Sequence, residues 1–531
     1  MTDSIPSRTR SAAGPTTTAH LVAALSMWGD LGIGLPLEHC LRACYIGLHI
    51  AADLKLDAAA REDVFWSLLL KDAGCTSFTT QAAAFVRGDE IAARRQMLFY
   101  ADPDSIRDVM DWALTYLGPD TGPWTRAGRV VGFLTNGRDF FREGFASGIE
   151  VAQRIAARLN MPPSLGPTLA ALFERWDGKG MPRGLRGDAI PIAARVAYAS
   201  TYFEVFSRLG GAEAAGRVGL ARSGSAFDGA VVEAFLRVSA LPGFWSPLAS
   251  ESILETVLAL KPGETAAPAG EPSFDVIALV FADFVDMKSH YLAGHSRRVA
   301  RLASGIGRRL HLPAAELAIL NRAALMHDVG FVAVPSFSVN KPPDERSSEE
   351  NAAIVLHTQH AETVLAIIPA LAGERSMVAA HHERRDAHGP RGLRWEDVPL
   401  GARIIAAADQ FDDLTHDQPG VPGVEPDVAI QRLRAADGAG LDQDVLEKLV
   451  AEVRAPDLRA PSQGGWPAGL TEREVEVLRL LGKGVSRKEV AKTLVISDAT
   501  VRHHLEHIYG KIGARTQVGA VLFALENGLL A

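Results

Sequence analysis

The sequence predicts an all-α protein: two related helical domains in tandem, followed by a smaller four-helix domain. Three observations carry the prediction. Apolar residues recur at the 3.6-residue helical period, as in 64–70, 149–159 and 299–310, while strand-like alternation is scarce. Two stretches rich in Pro, Gly and Ala, 261–273 (KPGETAAPAGEPS) and 455–469 (APDLRAPSQGGWPAG), interrupt the pattern and read as linkers. The two longer segments so defined repeat each other's motifs. The expected domains are therefore 19–260, 274–454 and 470–531, after a Ser-, Thr- and Pro-rich leader at 1–18.

The repeat can be followed residue by residue. EHCLRACYIGLHIAADLKLD in the first segment matches GHSRRVARLASGIGRRLHLP in the second, aligning His39 with His295. Asp72 in LLLKDAG and Asp328 in LMHDVG then fall at the same distance, 33 residues on. Further along, FERWDGKGMPRGLRGDAIPIAARVAYASTYF matches HHERRDAHGPRGLRWEDVPLGARIIAAADQF with a one-residue slip. The first copy carries an insertion of about 47 residues between these blocks. A single long repeat indicates a duplicated domain, because a solenoid needs at least three short ones.

Composition narrows the function class. The chain is 47% hydrophobic and 22% charged, which excludes a disordered chain and a collagen. A net charge of −8 and a pI near 6.1 exclude a general nucleic-acid binder but allow a local basic patch. Cys40, Cys44 and Cys75 form no disulfide framework and suit a reducing cytoplasm. The apolar run at 21–28 is too short to span a bilayer, so a cytoplasmic protein with no membrane partner is expected.

Histidine is distributed unevenly. Ten of the 16 lie between His290 and His416. His295, His327, Asp328, His357, His381, His382 and Asp409 form a mixed imidazole and carboxylate set, which suits divalent transition metals and is large enough for two ions. Such a site would form where helices meet in a bundle core. The first copy has Lys71 for His327, Leu172–Phe173 for His381–His382 and Thr201 for Asp409, so the fold does not require the histidines. His360, one turn after His357, and His388 are secondary candidates; His290, His311 and His416 are expected to be solvated. Cys40 and Cys44 read as small core residues.

HSRRVARLA, LMHDVGF, NKP, the isolated His357, HHERRD, PRGL and ARIIAAADQFDDL together resemble the HD-GYP branch of HD-domain metal-dependent phosphohydrolases, over roughly 280–418. The resemblance implies a helical domain with two or three divalent ions, often iron or manganese, and phosphodiesterase activity on cyclic di-GMP. By position it makes the seven residues above the metal ligands, with Asp328 bridging the ions, and gives Lys341 a substrate phosphate. Two departures bear on substrate choice. Phe331 stands where the family has lysine, and the signature loop reads Asp386-Ala387-His388-Gly389-Pro390, without the tyrosine and one residue short. The first copy keeps Asp177-Gly178-Lys179-Gly180-Met181-Pro182 but lacks most of the ligands, as expected of a domain for packing, dimerisation or sensing.

The last 62 residues have their own signature. Thr471, Ser486 and Ser497 precede helical runs as N-caps. Between Lys483 and Arg515, seven basic residues face three acidic ones, a local balance of +4 against the whole-chain −8. This segment resembles the LuxR-type helix-turn-helix domain. The resemblance assigns the recognition helix to Asp498–Ile512, sets Thr500, Arg502 and His503 toward the DNA groove and Lys511 toward phosphate, and implies a homodimer on DNA. Val490, Leu494, Val501, Leu505 and Ile508 should be core. The chain is thus expected to be a transcriptional regulator in which a metal-dependent phosphohydrolase domain is coupled to DNA binding. The alternatives are a nucleotide-binding receptor without turnover and a phosphohydrolase for another nucleotide.

Overall fold

Helix-starting residues in the sequence decide where the chain turns. The computed structural model describes residues 17–119, 121–263, 273–435, 440–455 and 465–530. Nearly all of the expected leader, and 264–272 and 456–464 of the two linkers, lie outside them. The first region runs α1 (Thr18–Gly32), α2 (His39–Asp53), α3 (Ala58–Leu70), α4 (Thr79–Val86), α5 (Glu90–Arg95), a π-turn (Gln96–Tyr100), α6 (Ile106–Tyr116), α7 (Pro123–Arg158), α8 (Leu165–Leu169), α9 (Ile192–Arg222), α10 (Gly229–Ser239) and α11 (Ile253–Ala259). The second runs α12 (Phe274–Asp286), α13 (His295–Arg309), α14 (Ala314–Met326), α15 (Ser336–Val339), α16 (Ser348–Val355), α17 (His357–Leu365), α18 (Ala372–Ala380), α19 (Leu400–Thr415), α20 (Pro426–Ala435) and α21 (Gln443–Val453). The last is α22 (Glu472–Gly482), α23 (Arg487–Thr493), α24 (Asp498–Ile512) and α25 (Gln517–Glu526). The fold is all-α, and no described residue belongs to a strand longer than an isolated bridge.

Equivalent positions of the repeat make equivalent contacts. Asp30 Oδ1 accepts the Cys40 backbone N–H at 3.2 Å, and Asp286 Oδ1 accepts that of Ser296 at 3.4 Å. Two residues after Asp72 and Asp328 stand Gly74 and Gly330. A Cβ there would lie 2.1 Å from the Gly148 carbonyl oxygen and 1.8 Å from that of His357, so only glycine allows these backbones to approach. The π-turn and the long α7 lie between Asp72 and Glu174, where the first copy is longer.

One apolar cluster continues through both regions, from Trp28, Phe65 and Phe203 to Phe281, Phe284 and Ile404. α1 packs on the turn at Val329–Ala333, and α4 packs on α15. Polar contacts close the same joint. Lys288 is wholly buried with its ammonium 3.9 Å from Glu90, and Glu90 accepts the Ser336 N–H at 2.6 Å.

The C-terminal region has its own core of Val475, Leu478, Leu481, Val490, Val501, Leu505 and Ile508. Leu494, expected in that core, is half-buried because it closes α23 beside the turn. α24 has the bounds predicted from the sequence, with the Ser497 hydroxyl accepting the Thr500 N–H at 3.0 Å. α25 faces the other way: its Leu522 enters the large core, and α25 lies against α7 and α12. No described helix is long and apolar enough to cross a membrane.

Candidate metal centre

The seven sequence-predicted ligands come from five separate places. His295 opens α13, His327 and Asp328 follow α14, His357 opens α17, His381 and His382 follow α18, and Asp409 lies on α19. Their donor atoms form two groups. Asp328, His357, His381 and His382 make one, and His295, His327 and Asp409 the other. All but His382 are buried, and His382 is half-buried.

Asp328 joins the groups. Its Oδ2 lies 3.4 Å from His295 Nε2 and 3.3 Å from His327 Nε2; its Oδ1 lies 3.4 Å from His357 Nε2 and 3.8 Å from His381 Nε2. Asp409 Oδ1 faces His295 and His327 at 3.2 and 3.6 Å. One carboxylate thus offers an oxygen to each half.

The rings are held by their other nitrogens. Nδ1 of His327, His357 and His381 meets the carbonyls of Ala324, Ile354 and Val378 at 2.8, 2.7 and 2.7 Å. Each residue thus bonds the carbonyl three positions earlier at a helix C-terminus, where carbonyls lack helical partners. His295 Nδ1 lies 2.8 Å from Asp412 Oδ2, and Arg298 fixes that carboxylate with Nε 2.8 Å from Oδ1. A proton on Nδ1 leaves the Nε2 lone pair pointing inward.

The electrostatics favour a cation. Burial opposes charge on Asp328 and Asp409, but the surrounding imidazoles hold both carboxyls well below their usual range. Burial also opposes charge on His327, yet Asp328 raises its pKa to about 10. On the other side, burial and the neighbouring rings push His381 down and His382 to about 4, leaving neutral imidazoles. His357 Nε2 and His381 Nε2 are buried without a hydrogen-bond partner, a costly state for a lone pair that a metal would relieve. This donor set fits divalent ions with mixed nitrogen and oxygen preference.

The remaining sequence candidates divide. Lys341 Nζ pairs with Glu350 at 2.7 Å and sits 4.3 Å above the Phe337 ring. His360 does not join either donor group, and His388 is 84% exposed beside Asp386. His311 is exposed as expected, but His290 and His416 are half-buried: His290 packs against Gly484, and His416 Nδ1 meets the Asp412 carbonyl at 3.0 Å. Cys40 and Cys44 are buried.

Two acidic residues were not assigned these roles from the sequence. Asp412 orients His295; its counterpart Glu204 binds His39 in the first copy, so the duplication itself carried the signal. Glu383, which follows the His381–His382 doublet, accepts the N–H groups of Arg391 and Leu393 at 2.7 and 2.9 Å, clamping the signature loop, as Glu174 does for Arg183 and Leu185. In that loop Ala387 has φ +59° where Gly178 has φ +80°. Phe331 stacks on His357, with ring centroids 4.2 Å apart and planes 6° from parallel.

In the first copy, the Lys71 ammonium forms a buried ion pair with Asp72. A side-chain cation there replaces the His327 imidazole. Burial remains the largest influence on Asp30, whose pKa rises to about 7.

At the C-terminus, Arg502 and His503 are exposed on α24, and the Thr500 hydroxyl lies 2.8 Å from Ser497 Oγ. Lys511 is tied back to Glu474 at 2.7 Å and to the Gly469 carbonyl at 3.0 Å. The domain is seated on α7, where the Arg515 N–H reaches Glu150 at 3.0 Å. Arg158 bridges Asp283 at 2.6 Å and Glu526 at 3.5 Å.

Comparison with known proteins agrees with this architecture. The HD domain family matches residues 279–445, and the family of bacterial regulatory proteins, luxR family, matches 468–524. The chain is 32% identical over 402 residues to 3'3'-cGAMP-specific phosphodiesterase 3 of Vibrio cholerae, covering 76% of this chain and 87% of that protein. It is 33% identical over 144 residues to 3'3'-cGAMP-specific phosphodiesterase 1 of the same organism, covering 27% of this chain and 33% of that protein. The crystal structure of a cyclic GMP-AMP specific phosphodiesterase of V. cholerae (V-cGAP3) is similar at a TM-score of 0.58 and 29% identity, covering 84% of this chain and 99% of that one. The chain belongs to the HD-GYP phosphodiesterases of the HD-domain superfamily and carries a LuxR-type DNA-binding domain at its C-terminus.

Proposed function

We propose that the protein is a cytoplasmic metal-dependent phosphodiesterase that opens a cyclic dinucleotide, 3'3'-cGAMP before cyclic di-GMP, and whose ligand state controls DNA binding. The observation that carries the reading is the two-part donor set joined by Asp328. The 3'3'-cGAMP specificity in the names of its relatives supports the choice of substrate.

His295, His327 and Asp409 would hold one ion and His357, His381 and His382 the other, with Asp328 shared; iron or manganese suits this set. When bound, the ions supply Lewis-acid polarisation of the phosphodiester and a lower pKa for water. The chain's own residues do the positioning. Asp412 and the three carbonyls keep the imidazole lone pairs aimed inward. Phe331 walls one face of His357. Lys341 is the cation assigned to a substrate phosphate, which it would take in exchange for Glu350.

The full chain, loaded with Mn²⁺ or Fe²⁺, should linearise 3'3'-cGAMP faster than cyclic di-GMP. His327→Ala combined with Asp328→Ala should lose metal and at least 100-fold of the rate. Absence of hydrolysis by the metal-loaded chain across a cyclic dinucleotide panel would overturn the enzyme reading. Binding without turnover would then support the receptor alternative, which the shortened loop at 386–390 favours.

The DNA reading assigns Thr500, Arg502 and His503 to base edges, Lys511 to phosphate, and a homodimer to the DNA-bound form. The seat of α25 on α7 and α12 supports coupling, since a ligand can shift DNA affinity only if the two arrangements bind it unequally. A gel-shift titration with and without 3'3'-cGAMP tests this, and unchanged DNA affinity would refute the coupling.

A further inference from the structure

Where the second copy gathers histidines, the first copy has a cavity. Its volume is about 90 Å³, and it is open in part to solvent. Its walls include Asp72, the counterpart of Asp328; Lys71, the counterpart of His327; and Phe173, the counterpart of His382. Gly148 meets Gly74 as His357 meets Gly330, and it lines the cavity without a side chain. The ligand positions of one copy have thus become an aromatic chamber in the other.

The chemistry of the chamber is specific. Phe78, Phe140, Phe141, Phe145 and Phe173 supply its rings. Phe78 lies 4.9 Å from Phe140, and Phe145 lies 4.5 Å from Phe173, centroid to centroid. Two cations line it, and they are not equivalent. Lys71 is neutralised by Asp72. Arg94 donates to the Cys75 carbonyl at 2.8 Å and has no carboxylate within ion-pair distance among the described residues. A guanidinium in an apolar chamber calls for an anion, and its planar fork matches a carboxylate. Among the described residues, no serine, threonine, asparagine or glutamine lines the cavity, so a nucleobase would find few partners for its polar edge. Mostly apolar walls with a few convergent polar groups are the usual make-up of a small-molecule site. The π-turn at Gln96–Tyr100 contributes Leu98 to the wall, and such turns concentrate at functional sites.

We propose that this cavity is a binding site for a small organic acid: one carboxylate held by Arg94, and an apolar body held among the phenylalanines. The body can be aromatic or aliphatic, since the shared chemistry is an anion on an apolar frame. The inference does not depend on the phosphodiesterase reading, because the cavity shares no residue with the metal centre.

Titration calorimetry on the full chain tests it with phenylacetate as the aromatic probe and octanoate as the aliphatic one. At least one should bind at one site per chain, and its neutral amide should bind at least tenfold more weakly. Arg94→Gln should weaken binding at least tenfold, while Arg94→Lys should restore part of it. Ala82→Leu narrows the cavity from its apolar side, so it should block binding without altering the helical circular dichroism; it also serves if Arg94→Gln does not fold. Binding of neither acid, equal binding of acid and amide, or binding unaffected by the variants that fold would overturn the proposal. The two titrations identify the body: binding of phenylacetate alone supports an aromatic ligand, and of octanoate alone an aliphatic one.

Discussion

At Ala387 the backbone enters the left-handed region, which glycine tolerates and alanine resists because of its Cβ. The first copy has Gly178 at the corresponding turn. The loop keeps its shape because Glu383 holds it from inside with two hydrogen bonds. Ala387→Gly should therefore stabilise the protein by about 1 kcal/mol, seen as a higher thermal midpoint. Asp412 is the other informative residue. It touches no second predicted ligand, yet it sets the orientation of His295. Asp412→Asn should lower metal affinity about 10- to 100-fold, measured as metal retained through chelator dialysis. The seven ligand candidates that the structure brings together were legible from their residue types and order. Asp412 and Glu383 were less so: acidic residues on helices and loops are common, and the one signal, an acidic residue at the matching position of the other copy (Glu204 and Glu174), names no partner.

Among the elements, the C-terminal helices were the most legible. Ser486, Ser497 and Thr471 each accept a backbone N–H in the first turn of the helix they precede. Ser497→Ala removes the cap of α24, the proposed recognition helix, and should cost about 1 kcal/mol, read from denaturant unfolding of the C-terminal region. DNA affinity should fall with it, because Thr500 sits in that first turn. The elements inserted into the first copy were less legible. Their amphipathic pattern showed helices, but not that α7 would hold both a wall of the aromatic cavity and, two residues past Gly148, the Glu150 that meets the C-terminal domain.

For the whole molecule, the joint between the copies is the decisive feature. A Pro- and Gly-rich linker suggests independent neighbours, but the apolar core passes from one copy to the other. The buried pair of Lys288 and Glu90 lies in that joint. Glu90→Ala would leave Lys288 as an uncompensated buried cation and remove the acceptor of the Ser336 N–H. A loss of roughly 3 kcal/mol or more follows, measurable as a lower denaturation midpoint and as faster hydrogen exchange in α4 and α15 together. Independent copies would lose protection in α4 alone.

By itself the sequence determined the helical class, the repeated motifs, the seven ligand candidates and the bounds of α24. Each depends on local periodicity, capping or residue order, which are written along the chain. Tertiary structure alone decided three further matters: that Asp328 turns one oxygen to each group of histidines, that the copies share a core, and that the first copy's counterpart site is a phenylalanine-lined cavity with an unpaired arginine among the described residues. These depend on groups far apart in sequence meeting at a few ångströms, and helical period says which face is buried without saying what it is buried against.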